Sequence, residues 1–187
     1  MMVSLAALWL PILLAAVVVF IASSVIHMFI NWHRHDYARL PDEESIVEAI
    51  RTSGAGPGQY LFPCAEDPAD NMRSPEIREK WERGPAGTVT VFPAGQMNMG
   101  KNLLHWFFYC VAVSLIAGYA GAITLGAGVA YMTVFRVVST AAFLGYAGAI
   151  WQDVIWSGAR PAKAMRAIAD GLIYALLTAG VFGWLWP

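Results

Sequence analysis

Four runs of mainly apolar residues, about Ser4–Ile30, Asn102–Ile123, Val129–Gln152 and Ala167–Trp186, constrain this chain more than any other feature. Each has roughly the 20 residues that a helix rising 1.5 Å per residue needs to cross a hydrocarbon layer about 30 Å thick. The charges avoid these runs. They fall in two blocks, Arg34 to Lys101 and Asp153 to Asp170, with Arg136 the sole exception. Only 13% of residues are charged, against roughly 25% in a soluble domain. The expected fold is therefore mainly α, a four-helix transmembrane bundle with a small cytoplasmic α+β juxtamembrane segment. Its parts are transmembrane helix 1 (1–30), the juxtamembrane segment (31–101) and transmembrane helices 2–4 (102–187).

No Lys or Arg precedes the first apolar run, which extends from about Val3 to Ile30 and is longer than a secretory signal core. It reads as a retained helix. The uncharged turn Thr124-Leu125-Gly126-Ala127-Gly128 predicts an antiparallel hairpin of the second and third spans.

Orientation follows from Lys and Arg, which are held on the cytoplasmic side during insertion. Arg34, Arg39, Lys101, Arg160, Lys163 and Arg166 flank span ends on one face, and the opposite face has no basic residue. Both termini are then outside the cytoplasm. Tryptophans agree, since indoles favour the interfaces: Trp9, Trp184 and Trp186 mark one level, Trp32, Trp106, Trp151 and Trp156 the other.

The 31–101 connection carries its own structural signals. Pro41-Asp42-Glu43-Glu44 starts a helix with Ile46, Val47 and Ile50 on one face, and Ser74-Pro75-Glu76 starts another that ends at Gly84. Gln59–Phe62 and Thr88–Phe92 read as short strands bounded by Gly and Pro. So little apolar material predicts a segment that depends on the bundle or another subunit for stability.

Small residues recur at every fourth position in three spans: Ser114, Gly118 and Ala122; Ala141, Gly145 and Ala149; Ala175, Ala179 and Gly183. Such seams let helices approach closely, within one bundle or between subunits, so homo- or hetero-oligomeric membrane partners are expected beside the lipid bilayer itself. A net charge of −1 gives no reason to expect nucleic acid.

His27 and His105 fall at matching depth near the inner ends of spans one and two. Ser23, His27 and Asn31 form one polar stripe, and Lys101, His105 and Tyr109 another. Paired imidazoles can supply axial ligands to a haem or two ligands to a metal ion; the bland alternative is that each ring hydrogen-bonds nearby polar groups. His33 and His35, followed by Asp36, form an HxH pair able to ligate copper or zinc, though less specific than a full ligand motif. A solvated or headgroup-binding segment is the alternative there.

Arg136 lies inside span three, from which it can snorkel to the interface or meet a partner, an anionic lipid or a substrate anion. Arg160, Lys163 and Arg166 suit anionic headgroups. Asp170 reads as an acid in the first turn of span four, complementing the helix dipole. Cys64 and Cys110 form no CxxC or Cys/His cluster. The chain has no phosphate loop, dinucleotide fingerprint, nucleophile elbow or paired acidic motif, which weighs against an enzyme.

The runs Trp32-His33-Arg34-His35-Asp36-Tyr37 and Gly58-Gln59-Tyr60-Leu61-Phe62-Pro63, and the stretch from Asp170-Gly171-Leu172-Ile173-Tyr174 through Trp186-Pro187, together resemble an uncharacterised family of bacterial four-helix inner-membrane proteins. The resemblance covers most of the chain and implies a bacterial inner membrane, hence periplasmic termini, but brings no activity and no catalytic residue. Three functions are then in contention. The first is a non-catalytic accessory or scaffold subunit of a membrane complex. The others are a haem- or metal-binding redox protein using His27 and His105, and a small transporter or channel.

Overall fold

The computed structural model describes residues 3–71, 73–95 and 98–187. In chain order the elements are α1 (Trp9–Phe29), α2 (Glu43–Thr52), β1 (Gly58–Phe62), α3 (Pro75–Arg83), β2 (Gly87–Val91), α4 (Met99–Thr124), α5 (Tyr131–Ala147), α6 (Ile150–Trp156) and α7 (Pro161–Trp184). They divide into two compact units. One comprises Met1–Tyr37, Asn98–Ile155 and Ala159–Pro187; the other comprises Ala38–Met97 with Trp156–Gly158.

The first unit is a helical bundle. Among the described residues, four stretches are long and apolar enough to cross a membrane: Leu5–Phe29, Met99–Thr124, Tyr131–Trp156 and Pro161–Trp184. Only 28–39% of the most apolar part of each is buried inside the protein. On α1, Ile12, Ala15, Ala16, Val19 and Ile26 face inward, while Leu10, Leu13, Val17, Ile21 and Val25 are exposed. A helix apolar on every side needs an apolar solvent on its outer face. The protein is a multi-pass integral membrane protein whose outer surface contacts lipid.

Within the bundle, α1 packs on α4 and α7, and α5 packs on the same two helices. The seams of small residues are largely consumed by this packing. A Cβ placed on Gly118 would lie 2.9 Å from the Phe182 ring, so the fully buried Phe182 fits only because that position is glycine. Gly145 receives Val113 and Gly183 receives Tyr131 in the same way. Ala149, at the end of the second seam, is exposed.

Two boundaries differ from the sequence expectation. Span three breaks at Gly148, where the chain turns so tightly that a Cβ would meet the Leu144 carbonyl oxygen at 2.6 Å; α6 then resumes at Ile150. The last helix begins at Pro161, well before Ala167, because proline presets the first helical position and Lys163 and Arg166 are good helix formers. Hydropathy marks where a helix meets lipid, not where it starts. Asp170 is consequently not in the first turn of α7, and the helix-dipole reading of it is corrected.

In the second unit, β1 and β2 pair antiparallel from Gly58↔Val91 to Phe62↔Gly87. The Asp42 side chain caps α2 by accepting from the Ser45 amide at 3.4 Å. Ser74 caps α3, Pro75 opens it, and Gly84 ends it at φ +64°. Trp81 donates its indole N–H to the Pro63 carbonyl at 3.1 Å. Both helices and both strands expected from sequence are present. Ile77 is the single buried apolar residue among those described in this unit.

Candidate metal centre

The site grows from the reversal of the chain after α1. Helix α1 ends at Phe29, Ile30 is extended, and Asn31–His33 form one 3₁₀ turn. This turn swings His33 back onto α7, where its Nε2 meets Asp170 Oδ2 at 2.8 Å. On the other side of the same ring, Nδ1 meets Asp36 Oδ2 at 2.7 Å. Both carboxyl groups are satisfied together if each ring nitrogen offers a hydrogen, if one carboxyl is protonated and donates to an unprotonated ring nitrogen, or if a cation takes the place of one shared hydrogen.

Asp36 is held in turn. Its Oδ1 accepts from Arg166 Nε at 2.7 Å and lies 2.6 Å from Nη2. Burial acts to raise the Asp36 pKa, but the hydrogen bonds from His33 and Arg166 and the Arg166 charge outweigh it and hold the carboxyl below its usual 3.8. Lys163 donates to the Tyr37 hydroxyl at 2.8 Å and sits 4.1 Å from the centre of that ring. Arg160 donates to the His35 carbonyl at 3.4 Å. The three basic residues that suit headgroups in the sequence are thus engaged with residues 35–37.

His27 completes the group. It stacks on His33 with ring centroids 4.6 Å apart and planes within 9°. Its Nδ1 donates to the Ser23 carbonyl, one turn back, at 3.0 Å, a bond that in the neutral imidazole directs the Nε2 lone pair to a ligand. Ser23 itself is fixed: its Oγ accepts from Trp106 Nε1 at 2.8 Å and donates to the Phe20 carbonyl at 2.9 Å. Asp170 is buried, and its second oxygen, Oδ1, has no hydrogen-bond partner among the described residues. One potential ligand atom from each of His27, His33 and Asp170 lies within 4.8 Å of the others.

His27 is therefore brought to His33 and Asp170 rather than to His105. His105 is exposed on α4 and makes no side-chain hydrogen bond among the described residues. Successive helical residues are about 100° apart, and it is the neighbouring Trp106 that faces Ser23. His33 and His35 are not brought together either. His33 turns inward, while His35 is exposed and accepts from Arg34 Nε at 2.9 Å. Tyr109 donates to the Gly145 carbonyl at 2.6 Å, and Arg136 is exposed without an ion pair among the described residues.

Asp36 and Asp170 are the members that sequence reasoning did not assign to a site. A signal was present: Arg166, Asp170, Tyr174 and Thr178 recur every fourth residue on α7, a polar stripe as regular as those noted on the first two spans. Hydropathy alone places Asp170 at a helix start and so points to the helix dipole rather than to this stripe.

Comparison with known proteins finds no matching family model, no similar curated protein and no similar solved structure. The chemistry of the site must be read from its own donors. Two imidazoles and a carboxylate form a borderline nitrogen and oxygen set suited to zinc and its neighbours among first-row divalent ions. Both rings have Nδ1 anchored to an oxygen acceptor, the arrangement by which metalloproteins orient a histidine and fix which nitrogen ligates.

Proposed function

We propose that this protein binds a first-row divalent metal ion at the membrane boundary through His27, His33 and Asp170. The observation that carries this reading is the anchoring of both imidazoles at Nδ1, by Ser23 and Asp36, beside a buried carboxylate with a free oxygen. The ion takes the place of the hydrogen between His33 Nε2 and Asp170 Oδ2. The stacked rings hold their lone pairs side by side rather than convergent, so His27, which is exposed, turns about its side-chain torsions to complete the site. Zinc ligands lie about 2.0–2.2 Å from the ion and more than about 3 Å from one another, so His33 Nε2 and Asp170 Oδ2, 2.8 Å apart, open slightly to admit it while His27 closes from the other side.

The basic residues flanking the spans support an orientation with residues 31–101 in the cytoplasm and both termini on the other side, which in a bacterial inner membrane is the periplasm. The ion is then taken from the cytoplasmic side. Purified protein in nanodiscs, stripped of metal and titrated with zinc, tests this reading. One ion per chain is expected, with His33→Ala and Asp170→Asn weakening binding at least 10-fold and His105→Ala leaving it unchanged. Equal binding by all four proteins would remove the reading.

A second reading, an accessory subunit of a membrane complex, is favoured by the second unit. It exposes Ile46, Val47, Leu61, Phe62, Trp81 and Phe92 while burying only Ile77 among its described apolar residues. Recovery of a defined partner in gentle purification, lost when Val47 and Trp81 are replaced by polar residues, is the expected result.

A further inference from the structure

The basic residues around the end of α1 divide into two groups by what they bind. Arg166 is neutralised by Asp36. Arg34, Arg160 and Lys163 have no carboxylate partner among the described residues. Their acceptors are neutral: Arg34 donates to a ring nitrogen of His35 at 2.9 Å, Arg160 to the His35 carbonyl at 3.4 Å, and Lys163 to the Tyr37 hydroxyl at 2.8 Å. Three uncompensated positive charges, from two distant segments of the chain, are thus gathered around residues 35–37.

Bonds to an imidazole, a carbonyl and a phenol position these groups but leave their charge for an anion from outside. The start of α7 adds to the field rather than relieving it, because Arg160 stands at the helix end, no side chain caps that end, and the first turn has no acidic residue. Donors also remain. A guanidinium has five N–H groups and an ammonium three, and the Tyr37 hydroxyl that accepts from Lys163 can still donate its own hydrogen. Phosphate oxygens accept several such bonds at once.

Location decides which phosphate. The span Leu5–Phe29 ends, and the span Pro161–Trp184 begins, where these cations lie. Exposed Phe29, Ile30 and Trp32 precede them in the chain, and exposed Met165 follows Lys163 on α7. Such an apolar border suits acyl chains and the interfacial zone of a bilayer, whereas a free phosphate in water makes no use of it.

We propose that Arg34, Arg160 and Lys163, with the Tyr37 hydroxyl, bind the phosphate of an anionic phospholipid in the leaflet adjoining residues 31–37. None of these residues is a ligand in the proposed metal site, and the proposal stands whether or not an ion binds there.

Native mass spectrometry of the protein released from nanodiscs containing equal amounts of phosphatidylglycerol and phosphatidylcholine tests it. The parent is expected to retain phosphatidylglycerol in preference. Replacing Arg160→Gln and Lys163→Gln together should reduce that preference roughly 10- to 30-fold, since each basic residue at the membrane surface is worth about a fivefold change. The charge-preserving pair Arg160→Lys and Lys163→Arg should keep most of it, and Arg136→Gln, which removes a cation elsewhere, should leave it unchanged. Inorganic phosphate at millimolar concentration should not displace the lipid from the parent. Equal retention of the two lipids by the parent would overturn the proposal without recourse to any variant. An unchanged preference in the folded Gln pair would do the same, and displacement by inorganic phosphate would make this a site for a soluble anion instead.

Discussion

The two units solve the problem of burial in opposite ways. The bundle buries Leu8, Val19, Val134, Val138 and Phe182 completely, against alanine and glycine on neighbouring helices, and leaves its other apolar face to lipid. The second unit has helices and a hairpin of similar local quality, with capped ends and a regular strand register, but almost no interior. Local signals alone therefore specify elements without giving them a core. What distinguishes the bundle is close packing between helices, made possible by small residues.

Phe182→Ala should break this comparison most severely. The ring is fully buried against Gly118, and its loss is expected to destabilise the bundle by about 3–5 kcal/mol, read as a lower melting temperature in detergent. Hydrogen exchange of β1 and β2 should not change. Coupled loss of protection in β1 and β2 would show that the second unit draws its stability from the bundle.

Ile77→Ala is the reciprocal experiment. It removes the buried apolar side chain of the second unit, with an expected cost of about 2–3 kcal/mol. Exchange should accelerate in α3 and the hairpin while the melting of the bundle is unaffected. An unchanged exchange pattern would show that the unit has a source of stability other than its own side chains.

Asp36→Asn probes the charged end of the bundle. The carboxylate is nearly buried between His33 and Arg166, but Arg166 keeps a quarter of its side-chain surface exposed, so an expected cost of about 1–2 kcal/mol is below that of a fully buried pair. Its pKa is lower in the folded protein than the usual 3.8. The stabilisation it contributes is thus fully present above 3.8 and is lost as pH falls through the lower folded value. Acid titration of the melting temperature should show this loss in the parent and lack it in the variant.

Ser74→Ala has the smallest expected effect, about 1 kcal/mol, from loss of the cap on the Ile77 amide. It should appear as faster exchange at the start of α3 only.

Much of the fold was legible because membrane helices announce themselves by length and hydropathy, and because caps such as Ser74-Pro75 and turns such as Gly126-Ala127-Gly128 are local. The site was legible in part. His27 and His33 stood out as histidines near the membrane, but the partner of His27 depended on helix rotation and on a 3₁₀ turn whose direction has no local code. Depth placed His27 opposite His105, whereas rotation put Trp106 there instead. Asp170 was hidden by the start of α7, which hydropathy put too late. The small-residue seams gave no indication of whether they would be filled from within; Phe182, Val113 and Tyr131 fill them.

The central claim is that His27, His33 and Asp170 hold one metal ion, and zinc K-edge X-ray absorption on the zinc-loaded protein in nanodiscs tests it most directly. Two imidazole nitrogens and carboxylate oxygen are expected at about 2.0–2.2 Å. One imidazole should disappear from the spectrum in His27→Ala, and the spectrum should be unchanged in His105→Ala. A zinc shell without imidazole scattering, or one altered by His105→Ala and not by His27→Ala, would contradict it.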